Sequence, residues 1–153
     1  MEAVDKFRVE PLGPESLRSR LIAPDGSFLE VEGQVLEMQF RSSQGYLVVT
    51  SDGNPYEEMV HFYLLDPAGQ FRDGISLGRI YHSGILADIS VGDETLEFSF
   101  FGKERWRLSI RDSPGPVLFP NPLSGIRSIN GRLRRHYLHL ERLGERKSIS
   151  PQP

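Results

Sequence analysis

From about Phe28 to Ile110 the chain runs as short apolar stretches of period two, joined by turns rich in glycine and aspartate. The clearest case is Leu96, Phe98 and Phe100, followed after Gly102-Lys103 by Trp106, Leu108 and Ile110. Successive side chains of an extended chain point to opposite sides, so both triplets fall on one face of a hairpin. A helix would scatter them around its circumference. The pattern therefore predicts an antiparallel, strand-dominated domain.

Turn chemistry divides the chain at the intervals this requires. Pro24-Asp25-Gly26 joins the arms of a hairpin spanning Arg20 to Val31, and Ser42-Ser-Gln-Gly45 separates Val35–Phe40 from Tyr46–Thr50. Asp66-Pro-Ala-Gly69 closes a hairpin between Met59–Leu65 and the strand that opens at Phe71. Gly74 and Gly78 interrupt that next strand, as glycines do where a sheet bends. About eight to ten strands at this spacing make an antiparallel barrel or a strongly bent β-sandwich.

The last apolar segment is ambiguous. At helical pitch Leu133, Tyr137, Leu140 and Leu143 share one arc, with Asn130 as a cap and Gly144 beyond the end. As a strand, the segment puts Leu138 and Leu140 together but leaves Arg134 and His136 on their face. One C-terminal helix over 132–143, or a final strand, both fit. Residues 1–17 read as an irregular segment, 18–144 as a single β-rich domain, and 145–153 as a loose polar tail.

Composition narrows the classes of function. The 153 residues are 38% hydrophobic with 10% aromatic, enough for one core, and the net charge is −3. That balance argues against nucleic acid as a partner. No run reaches the roughly 20 apolar residues of a membrane span, and the N-terminus has no apolar signal core. The chain reads as a soluble, cytoplasmic protein. It has no cysteine, which removes disulfides and thiolate chemistry.

In Met59–Leu65, Val60, Phe62 and Leu64 alternate with His61, Tyr63 and Leu65. Both faces are apolar enough that the strand is covered on both sides or lines an amphipathic cavity. Tyr81 and His82 follow the Gly78 bend as a second tyrosine–histidine pair. His61, Tyr63, Tyr81 and His82 are thus candidates to line a barrel lumen that holds a small amphipathic ligand. Tyr56, preceded by Asn54-Pro55, is the candidate rim contact.

Other chemistries find little support. There is no Gly-x-Ser-x-Gly elbow, no phosphate loop and no His-Glu-x-x-His. His136 and His139 are three apart, which a strand splits between its faces. No cofactor, metal or catalytic residue set is implied. One enzymatic alternative keeps His61 as general base, oriented by Glu58 or Asp88. A protein-interaction module, neutralising or regulatory, is the other alternative. It would dock by charge through Arg127, Arg132, Arg134, Arg135, Arg142, Arg146 and Lys147, opposed only by Glu141 and Glu145. In general look the meander of aromatic hairpins resembles the lipocalin-like barrels. The Gly-x-Trp found near the start of those chains is missing, and the sole tryptophan is Trp106.

Overall fold

The computed structural model describes residues 1–53, 58–79, 84–115, 125–129 and 136–145. They form β1 (Glu2–Ala3), β2 (Arg8–Pro11), β3 (Arg18–Ile22), β4 (Phe28–Glu32), β5 (Val35–Ser42), β6 (Gly45–Ser51) and β7 (Val60–Leu65). These continue as β8 (Phe71–Leu77), β9 (Ala87–Val91), β10 (Thr95–Ser99), β11 (Glu104–Gly115), β12 (Ile126–Ser128) and β13 (His136–Glu145). The protein is all-β, with no helix among the described residues. Three antiparallel sheets contain every strand of the described residues: β1-β5-β6-β7-β8-β12, β13-β11-β10-β9 and β2-β3-β4. Residues 1–17, read from the sequence as irregular, contribute β1 and β2.

The six-stranded sheet carries a core on each face. On one, Val60, Phe62, Leu64, Ile75 and Leu77 cluster with Leu96, Phe98, Trp106, Leu108, Leu138 and Leu140 of the four-stranded sheet. The rings of Phe62 and Phe98 lie 5.3 Å apart across this junction. On the other face, Val48, Tyr63 and Leu65 cluster with Phe7, Leu21 and Val31 beside the three-stranded sheet. Each such apolar side chain withdrawn from water stabilises the fold by about 1.5–3 kcal/mol. Every residue of β7 is buried, as alternation with two apolar faces requires.

The hairpin of β10 and β11 forms in the expected register, with Phe98 opposite Trp106 and Leu96 opposite Leu108. Leu96, Phe98, Phe100, Trp106 and Leu108 are all fully buried. At the turn between β5 and β6, a Cβ on Gly45 would stand 1.9 Å from the Leu65 carbonyl oxygen, and its φ is +132°. Only glycine lets these two hairpins approach so closely.

The helix considered for 132–143 does not form over its described part. His136–Glu145 is β13, paired to β11 with Leu140 opposite Leu108 and Leu138 opposite Ile110. Asp73 removes the apparent cost of putting His136 on the inner face. Its Oδ1 accepts from Gly74 N at 2.8 Å and lies 2.9 Å from His136 Nδ1. Its Oδ2 accepts from the backbone N–H of Tyr137 and of Leu138, both at 2.9 Å. One carboxylate in β8 thus ties the six-stranded sheet to the start of β13. An ionised carboxylate only accepts, so Nδ1 of His136 is the donor in its bond.

Asp73→Ala strands these donors in a site from which water is excluded. It is expected to cost about 3 kcal/mol or more, read as a drop in the urea midpoint. A change below about 1 kcal/mol would contradict the tie.

Candidate functional site

His61 is the second residue of β7, and the ladders set Thr50 of β6 and Ser76 of β8 on either side of it. Its ring faces the three-stranded sheet. Asp52 directly follows β6, and its amide donates to the Met59 carbonyl, one step beyond the Ser51–Val60 pair of the β6–β7 ladder. Its Oδ1 lies 2.8 Å from His61 Nε2, and Ser76 Oγ lies 2.7 Å from Nδ1. With Nε2–H donating to the Asp52 carboxylate, Nδ1 accepts from the Ser76 hydroxyl. A directed chain results: serine to histidine to aspartate.

The same histidine is roofed by the turn between β4 and β5. Thr50 Oγ1 donates to the Glu32 carbonyl and Ser19 Oγ to the Gly33 carbonyl, each at 2.7 Å. Gly33 has φ +98°, and a Cβ there would meet Thr50 Oγ1 at 2.7 Å. Glu32 Oε2 stands 3.7 Å from His61 Nδ1 and 2.7 Å from Arg127 Nη2. His61 is 2% exposed, and Ser76 is fully buried. A nucleophile needs an open approach to its oxygen, and Ser76 has none. The chain acts as a clasp between strands.

Tyr63, on the same face, accepts a 2.7 Å bond from Glu32 N through its hydroxyl and meets the Phe71 ring edge-on at 6.3 Å. Burial, reinforced by the Glu32 carboxylate, pushes its ionisation up to about 12. Burial also raises Glu58, with the Glu37 and Asp52 charges adding to the effect. The carboxylate that reaches His61 is Asp52, in place of Glu58 or Asp88. Asp88 lies in β9 of the four-stranded sheet, and its carboxylate accepts from Ser99 Oγ at 3.4 Å. Tyr56, Tyr81 and His82 lie outside the described residues. Among the described residues no group of three or more histidines or carboxylates could hold a metal ion.

A groove of about 440 Å³ opens on this side of the sheet, where the β3–β4 and β7–β8 hairpins come together. Buried Leu21 and Leu65 and half-buried Leu29 and Phe71 line its depth, while Asp25 and Phe28 are exposed at its lip. The Ser27 hydroxyl, then the Ser27 amide, donate to Asp25 and hold its carboxyl below the usual range. Neither His61 nor Tyr63 lines this groove. The sequence marks both hairpin tips as turns, but it carries no signal that they converge.

The arginine-rich stretch is partly neutralised where it is described. Arg127 pairs with Glu32, and Arg142 with Glu104 at 3.3 Å. Arg132, Arg134, Arg135, Arg146 and Lys147 lie outside the described residues. No helix among the described residues is long and apolar enough to cross a membrane. No protein-family model, curated protein or solved structure matches the chain.

Tyr63 makes a pH prediction. In the unfolded chain it ionises near 10, and in the folded protein near 12. Its contribution is therefore complete below pH 10 and is lost as pH climbs through 12. Two units correspond to about 2.7 kcal/mol. Tyr63→Phe should flatten the fall in urea-monitored stability over this window. At neutral pH it should cost about 1 kcal/mol, because Glu32 N loses its acceptor. An unchanged alkaline profile would refute the assignment.

Proposed function

We propose that this protein is a non-enzymatic binding domain that takes a small amphipathic ligand. The ligand occupies the groove between the β3–β4 and β7–β8 hairpins, and not a lumen around His61. What supports this reading is the groove itself. Its 440 Å³ falls within the roughly 300–1,000 Å³ typical of small-molecule sites, and its mixed lining sets Leu21, Leu29, Leu65 and Phe71 beside the polar Asp25, Ser27 and Gln70. The three sheets fit a layered, bent sandwich better than a closed barrel, since the six-stranded sheet has a packed core on both faces. His61 and Tyr63 serve this reading as supports. They fix the turn after β4, whose strand forms one wall of the groove.

Titration with hexyl glucoside followed by amide chemical shifts tests the proposal. Saturable changes are expected at Leu21, Leu29, Leu65 and Phe71, and Ala68→Trp, which fills the opening, should abolish them. Shifts spread over other surfaces would sink it, as would the absence of groove shifts both with this glucoside and with six-carbon amphiphiles of charged head.

The Ser76–His61–Asp52 chain favours a second reading, a hydrolase with His61 as general base. Burial of all three residues weighs against it. A fluorophosphonate probe decides: if Ser76 Oγ attacks phosphorus and expels fluoride, the adduct appears by intact mass. No adduct is expected.

A further inference from the structure

We infer that the ligand of this groove is an amphipathic cation, an apolar body carrying one positively charged head. The inference rests on the groove's being the binding site, and it names the chemistry that site selects.

Among the described residues lining the groove, Asp25 alone is ionisable, and Phe7, Phe28 and Phe71 supply aromatic rings. The carboxylate is held in place. Ser27 N and Ser27 Oγ donate to its Oδ1 at 2.9 and 2.6 Å. The turn beneath it is closed twice, by Gly26 N donating to the Ala23 carbonyl and Ala23 N to the Ser27 carbonyl, each at 2.9 Å. The carboxylate is therefore held by its own turn at the lip of the groove, with Oδ1 engaged by Ser27. This arrangement needs no reorganisation to receive a positive head.

The rings favour the same sign of charge. An aromatic face attracts a cation through its quadrupole, and one of these rings is already so used: the Arg20 guanidinium lies 4.7 Å over Phe28. Arg20 does not line the groove. An anionic head would meet Asp25 without any lining cation to offset it, and the chain's net charge of −3 adds a field of the same sign. A neutral head would gain from neither the carboxylate nor the rings.

Three six-carbon amphiphiles that differ only in their heads test this: hexyltrimethylammonium, hexyl glucoside and hexanoate, titrated at low salt by calorimetry and amide shifts. The ammonium is expected to bind about tenfold more tightly than hexanoate and to shift the groove amides. Asp25→Asn, which keeps the turn because asparagine makes the same local bonds, should bring the two near parity with an unchanged melting temperature. Arg20→Ala should leave the preference intact or enlarge it. If hexanoate or the glucoside binds the groove as well as the ammonium does, the cation inference falls while the groove survives. The same holds if Asp25→Asn leaves the preference untouched. If none of the three shifts the groove amides, the binding site and the inference fall together.

Discussion

A sheet packed on both faces has no water to offer its polar side chains, and this constraint governs the centre of the protein. β7 is wholly buried, and so are Thr50, Ser76 and Asp73 on its neighbours. Each polar group there must find a partner inside the fold or cost about 1–3 kcal/mol. Ser76 finds its partner in His61 of the same sheet, and other partners lie in the adjoining layers. Asp73 reaches the backbone of β13, while Tyr63 and Thr50 reach the backbone of Glu32 at the turn after β4. The bonds that satisfy buried groups are thus the ones that fix the layers in place, which apolar contacts alone, having no direction, do poorly.

This separates two kinds of histidine chemistry that look alike in a list of distances. His61 sits between a serine and an aspartate in the order a hydrolase would use. Yet the Glu32–Gln34 turn closes over it, and the Gln34 amide bonds to the Ser51 carbonyl at 2.8 Å. Geometry without access is architecture. The groove has the opposite character: its walls come from hairpins and its lip from their tips, the usual place for recognition on a rigid scaffold.

Much of the strand pattern was legible in the residues. The two-residue period of Leu96 to Ile110 and the doubly apolar run Val60–Leu65 reflect local geometry, which survives in any packing. Long-range polar partners were not legible. The inward His136 argued for a helix until Asp73, 63 residues earlier, turned out to bind it. Asp52 was hidden as His61's partner because it lies just past the end of β6, outside the alternating run, and nine residues before the histidine that it meets. The groove was equally hidden, since residues of two separate hairpins, Asp25 and Gln70 among them, line it together.

Among the described residues the three-stranded sheet shares no strand ladder with either of the others. It is joined to the six-stranded sheet by side-chain packing and by single hydrogen bonds, such as Phe7 N to Gln39 Oε1 at 2.8 Å and those of Tyr63 and Thr50 to the Glu32 backbone. Backbone ladders break cooperatively, whereas such seams can part without disturbing them. The β2–β4 layer therefore owes its place to side chains alone, to the shared apolar core and to hydrogen bonds of this kind. A layer held in this way is expected to release its amide protons to solvent ahead of those in β6, β7 and β11.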